Sequence, residues 1–252
     1  MLKRLVFLTL ALTVAFAAVA SAQTVDEIIA KYVDARGGMD ALKNVKSAKF
    51  FGKTMMQGLE APGILYVKRP DKVRMEFTIQ GQTMIQAYDG TTGWYIAPFM
   101  GKTDPEKMSD EDAEEIQEMA DIEGPMVEAK SKGNTIELIG KEDLEGAPVY
   151  KLKLTRKNGN VDYVYIDAEY FLEVKTTSKR MRQGAEIEVD NFPSDYKDES
   201  GIMMAHSQEN KMNGQTVSQY NIDSVQFNID IPDSVFAMPA VAAKPDSTKA
   251  DE

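Results

Sequence analysis

The sequence predicts a mainly β fold: an antiparallel meander packed against a helix at its start and interrupted by a second, acidic helix. Three observations lead there. Apolar and polar residues alternate with period two over many short runs. Turn dipeptides separate those runs at close intervals. Helical spacing is confined to the start of the chain and to one internal segment.

Thr24 and Glu27 have capping-box spacing, and Ile28, Ile29, Tyr32, Val33 and Ala35 follow at helical intervals until Gly37-Gly38. This predicts a helix over 24–36, then a short turn over Met39–Asn44. Lys72 to Ile79 alternates strictly, with Val73, Met75, Phe77 and Ile79 on one face. Further strands are expected at 47–57, 63–69, 82–88, 92–97, 134–140, 147–156, 160–167, 171–180, 185–190, 202–212, 215–222 and 224–230. Gly81-Gln82, Asp89-Gly90, Glu145-Gly146, Asn158-Gly159 and Asn213-Gly214 supply turns. Ser109 can cap a helix whose first turns hold Asp110, Glu111, Asp112, Glu114 and Glu115, where negative charge suits the helix dipole. Ala113, Ile116, Met119 and Ala120 share one face of it. That helix is either a solvated cover on the sheet or a lid over an apolar cavity. Residues 239–252 lack apolar periodicity and are expected to be a disordered tail.

Composition excludes several functions. The 252 residues include 40 acidic and 29 basic side chains, one His and no Cys. A net charge of −11 is wrong for a general nucleic-acid surface. Without Cys there is no disulfide, thiolate nucleophile or lipid-anchoring cysteine, and one His cannot build a multi-histidine metal site. Nothing in the sequence calls for a cofactor. His206 reads as an ordinary strand histidine. The carboxylates leave a two-carboxylate hydrolase as a rival reading, although turns and polar strand faces account for most of them. All but one of the 15 methionines lie beyond residue 22, which suits an adaptable apolar cavity as well as core filling.

Lys3 and Arg4, an uncharged Leu5–Val19 stretch and Ala20-Ser21-Ala22 form the three parts of a cleavable signal peptide over 1–22. Residues 23–238 are then expected to fold as one domain in an extracytoplasmic compartment, a bacterial periplasm. Removing Lys3 and Arg4 takes the net charge from −11 to −13.

One stretch carries a resemblance. Gly63-Ile64-Leu65-Tyr66-Val67-Lys68-Arg69-Pro70 is followed by Tyr88-Asp89-Gly90-Thr91-Thr92-Gly93-Trp94-Tyr95-Ile96 and Pro98-Phe99. This combination resembles the LolA family of periplasmic lipoprotein carriers and the wider outer-membrane lipoprotein-sorting proteins. Ala97 stands where the family pattern has Asn. Looser similarity includes Ser194-Asp195-Tyr196-Lys197 before Gly201-Ile202, and Pro232-Asp233-Ser234-Val235-Phe236. The resemblance implies an incomplete antiparallel β-barrel, a LolA-like half-barrel, with helices lying across its concave apolar side. It implies a non-enzymatic carrier that shelters acyl chains of lipoproteins and sorts them toward the outer membrane, making transient membrane-surface contact. The implied partners are an inner-membrane ABC transporter for loading and an outer-membrane receptor for release.

Arg69 falls on the family's functional arginine, which implies donation to backbone carbonyls of the lid in the empty carrier. Strand parity agrees, placing Leu65, Val67 and Arg69 on one face. The candidate cavity wall is Phe51, Leu65, Val67, Val73, Met75, Phe77, Trp94 and Ile96, with Met119, Ile122 and Met126 on the lid. Phe51, Trp94 and Ile96 are assigned inward by parity alone. The alternatives are a carrier of free lipid or glycolipid and a non-transporting interaction module with a filled core.

Overall fold

The computed structural model describes residues 23–56, 58–182 and 185–240. The leader expected over 1–22 lies outside them, as does the expected tail beyond Ala240. Helix α1 (Val25–Ala35) starts from the expected box: Thr24 Oγ1 accepts from the Glu27 amide, and Thr24 N donates to Glu27 Oε2 at 2.9 Å. Helix α2 (Met39–Asn44) follows. Ile28, Tyr32, Val33 and Leu42 are buried and join the core between these helices and the sheet.

Thirteen strands form one antiparallel sheet. They are β1 (Ser47–Met56), β2 (Leu59–Lys68), β3 (Lys72–Ile79), β4 (Gln82–Tyr88), β5 (Gly93–Ala97), β6 (Lys102–Lys107), β7 (Thr135–Leu144), β8 (Ala147–Thr155), β9 (Val161–Asp167), β10 (Glu173–Arg182), β11 (Ala185–Glu199), β12 (Ile202–Met212) and β13 (Gln215–Phe227). The order is β6-β5-β4-β3-β2-β1-β13-β12-β11-β10-β9-β8-β7. Each strand pairs with its chain neighbours except at the centre, where β1 meets β13, and at the edges. β6 and β7 are consecutive in the chain yet form opposite edges, so the sheet is an incomplete barrel. The chain between them carries α3 (Asp110–Glu118) and residues 119–134 across the concave side.

β2 starts four residues earlier than expected and β7 ends four later, and three strands depart further. β6, Lys102–Lys107, is rich in charge and contains Pro105, which reads as a loop; a sheet edge tolerates both. β11 runs on to Glu199 rather than ending near 190. The two strands expected over 215–230 are one, because a bulge opposite Phe51 and Gly52 omits Asp223 from the pairing without ending the strand.

The register separates the two faces. Phe50, Leu65, Met75, Gln86 and Tyr95 form one cross-strand row, and Ala48, Val67, Val73 and Tyr88 the next in phase with it. These rows face the helices and the core. The intervening row is Lys49, Tyr66, Arg74, Ala87 and Trp94 on the convex face. After β13 the chain crosses this convex face as a strap. Trp94 Nε1 donates to the Phe236 carbonyl at 2.7 Å, Arg74 Nη1 to the Val235 carbonyl at 2.9 Å, and Lys68 Nζ to the Ile231 carbonyl at 2.7 Å. Hydrogen bonds from Lys68 and Lys72 hold the strap's Asp233 carboxyl down at about 2.

Candidate ligand-binding site

Three cavities lie along the concave face beneath the crossing segment, two of them apolar. A cavity of about 160 Å³ is lined by Leu42, Phe50, Leu65, Val67, Ile122 and Met204. A second, of about 390 Å³, is lined by Leu65, Met75, Phe77 and Tyr220 among others. A third, of about 560 Å³ toward the β6 edge, has a mixed wall in which Met75, Met84, Met108 and Ile116 stand beside Gln86, Lys107, Asp112 and Glu115. Leu65 is shared by the first and second, Met75 by the second and third, and Met119 borders all three. Met119 is half exposed at the end of α3 and carries a flexible thioether.

The lid is built from α3 and the segment after it. Ser109 Oγ accepts from the Asp112 amide, the expected N-cap. Ile116 and Ala120 are buried on its inner side. Gly93 lets the helix approach the sheet: a Cβ there would lie 2.6 Å from Ala113 Cβ. At its other end, α3 is tied to the opposite half of the sheet. Arg156 Nη1 donates to Glu118 Oε2 at 2.9 Å and Nε to Asp162 Oδ2 at 2.6 Å. Asp162 is fully buried and also accepts from Ser178 and Arg180. Burial pushes its carboxyl up, but Arg156, Ser178 and Arg180 outweigh that and hold it below its usual value. Glu118 goes the other way: burial pushes it up, and Arg156 only partly offsets this.

Two arginines grip the segment that follows. Arg69 Nη1 and Nη2 donate to Glu123 Oε2 and Oε1 at 3.0 and 2.7 Å. Its Nε donates to the Val45 carbonyl at 2.6 Å and Nη2 to the Leu42 carbonyl at 3.1 Å. Those carbonyls belong to the α2 end, not to the lid, so the resemblance-based expectation for Arg69 is corrected in its details. The lid carbonyls are taken by Arg36, which donates to Glu123 O and, at 3.4 Å, to Ile122 O. Arg36 also donates to Tyr32 Oη at 3.1 Å. Burial pushes the Glu123 carboxyl up, but the Arg69 hydrogen bonds, its own backbone amide and the charges of Arg69 and Lys132 hold it below its usual value. Lys132 Nζ closes the turn by donating to both Asp121 oxygens and to the Gly124 carbonyl.

The sequence-derived set divides four ways. Leu65, Val67, Met75, Phe77, Met119 and Ile122 line the cavities. Val73 and Met126 are sealed in the core, Met126 beside Val127. Arg69 sits at the lid contact. Phe51, Trp94 and Ile96 face the wrong way. Phe51 lies under the Lys49 ammonium, 4.4 Å from its ring centre; Ile96 pairs with Ile85 in the Glu76 row; Trp94 is fully buried by the strap. Period two fixes alternate faces but not which face is inside, and in β5 the inward residues are Tyr95 and Ala97. Sequence reasoning missed Arg36 and Glu123. The basic residue just before Gly37-Gly38 was the available signal for the first; Glu123, in a Gly-Pro turn, gave none.

No protein-family model and no curated protein matches the sequence. Solved structures do. A DUF1329 family protein from Desulfovibrio piger superposes with a TM-score of 0.60 at 13% identity, covering 86% of this chain and 98% of that one. A LolA superfamily protein from Nitrosomonas europaea gives 0.56 at 14% identity, with coverage of 86% and 98%. A putative outer membrane lipoprotein-sorting protein domain from Vibrio parahaemolyticus gives 0.53 at 14% identity, with coverage of 75% and 88%. At such identities the likeness is one of architecture, and the architecture of this chain is a LolA-like fold.

Proposed function

We propose that this protein is a periplasmic carrier that shelters acyl chains, of a lipoprotein or of a lipid, in the trough beneath its lid. The observation that carries this reading is the pair of apolar cavities that meet at Met119, beside a third of mixed lining, under a segment fastened by Arg36 and Arg69. Ligand pockets usually span about 300–1,000 Å³. The 390 and 560 Å³ spaces fall in that range, while the 160 Å³ space under the fastened segment does not. A long chain therefore needs the lid to shift. Each methylene moved from water into such a trough is worth ~0.8 kcal/mol, so a dozen supply ~10 kcal/mol against the lid contacts. The LolA superfamily and lipoprotein-sorting neighbours support the lipoprotein form of the reading. Under it, an inner-membrane ABC transporter loads the carrier and an outer-membrane receptor unloads it.

The test is native mass spectrometry of the protein released gently from the periplasm, followed by solvent extraction. A bound acylated polypeptide supports lipoprotein sorting. A bound free lipid moves the function to lipid transport. A clean unliganded mass, unchanged after incubation with acylated peptides and lipids, overturns the carrier reading.

A further inference from the structure

The gripped carboxylate of Glu123 lies at a seam between oily and polar space. On one side is the apolar cavity lined by Arg36, Leu42, Val67 and Ile122. On the other is a polar cavity of about 400 Å³ bordered by Arg69, Glu123 and Lys132. The carboxylate is bound there as a ligand's would be, by two parallel bonds of 2.7 and 3.0 Å from one guanidinium. That fork geometry selects carboxylates and phosphates. Glu123 is buried and Arg69 only about a quarter exposed, so the pair is largely shielded from water.

When the lid segment moves, Glu123 leaves with it. Arg69 stays, held by the Leu42 and Val45 carbonyls of the α2 end. A desolvated guanidinium without its anion is costly, and neutral acceptors replace only part of a charge-assisted bond. Three other acids nearby are already engaged. Both Asp121 oxygens are on Lys132, Glu118 is on Arg156, and Glu128 is on Lys43. Asp71 and Glu114, on the same polar wall, disfavour a headgroup carrying more than one charge.

We infer that the trough takes amphiphiles with one singly negative headgroup, a carboxylate or a phosphodiester, on an acyl tail. The headgroup replaces the Glu123 carboxylate on Arg69 while the tail enters the apolar cavities, and Glu123 is a built-in competitor for the site. This inference rests on the carrier reading and adds the ligand's headgroup class to it.

The experiment is fluorescence titration of the purified protein with cis-parinaric acid and with its methyl ester at pH 8. The expected result is that the acid binds about tenfold more tightly than the ester. Glu123→Gln raises that acid-to-ester ratio severalfold, and Arg69→Gln brings it to about one. Displacement of the acid by a lysophosphatidylglycerol, but not by a monoacylglycerol, extends the class to phosphodiesters; displacement by oleate alone confines it to carboxylates. Equal binding of acid and ester, unmoved by Glu123→Gln, overturns the headgroup inference and leaves the carrier reading standing. Failure of both probes to bind overturns the carrier reading itself. Should Arg69→Gln not fold, the Glu123→Gln ratio decides alone.

Discussion

Arg69 and Glu123, 54 positions apart in the chain, meet through two parallel hydrogen bonds at the point where the lid touches the sheet. The pair is intermediate between a surface bridge and a fully buried one, so breaking it should cost about 2 kcal/mol. In Arg69→Gln, amide exchange in residues 119–134 should accelerate roughly 30-fold while β8–β12 stay protected. Hydrogen exchange read by mass spectrometry checks this, and uniform acceleration across the sheet would show that the pair supports the whole fold instead.

Acid should loosen the same contact. The Glu123 carboxyl sits below its ordinary 4.5 when folded. A depressed carboxyl contributes stability that is complete above its unfolded value and is lost as pH falls through the folded value. The stability difference between the wild type and Glu123→Gln should therefore be constant near neutrality and shrink below about pH 4.5. Glu118, raised by burial, has the opposite sign: its penalty grows as pH rises through 4.5 toward the folded value. Glu118→Gln should remove that penalty. Urea titrations from pH 3.5 to 8 separate the two.

Gly93→Ala should lift the lid helix. The added methyl would fall 2.6 Å from Ala113 Cβ and 3.0 Å from its Cα, so something must shift. Overpacking of this kind costs about 1–3 kcal/mol. Adding Ala113→Gly should recover part of the loss, less the ~1 kcal/mol that glycine costs inside a helix. Thermal melts of the two single variants and the double one show whether the losses are coupled.

Phe236→Ala should release the strap rather than the ligand. Phe236 is fully buried, and such truncations cost about 3–5 kcal/mol. The chain has one tryptophan, Trp94, whose indole N–H is fixed to the Phe236 carbonyl, so its emission should shift to the red in this variant. Binding of apolar probes to the concave side should persist. Loss of probe binding with the fold intact would return Trp94 to the cavity side.

Much of the sheet was legible because its signals are local. β3, β4 and β12 have the bounds expected from alternation and turn dipeptides. The lid's start was legible because Ser109 and the acids after it act within one helical turn. The facing of Trp94 was not, since it is decided by a strap whose bonding partner lies 142 positions away. Arg36 and Glu123 were hidden for the same reason. A helix-end arginine and a turn glutamate look like solvated charges until an 87-residue separation is closed.

The chain leaves the sheet at β6 and re-enters at β7, with the lid strung between the two rims. Such a segment is a tie-rod, not a hinged flap, because both of its ends are anchored in β-structure. Spreading the rims draws it taut across the trough, and squeezing them together lets it bow outward. A partner gripping only the outer edge of β6 or β7 would thus have leverage over the contents without touching them.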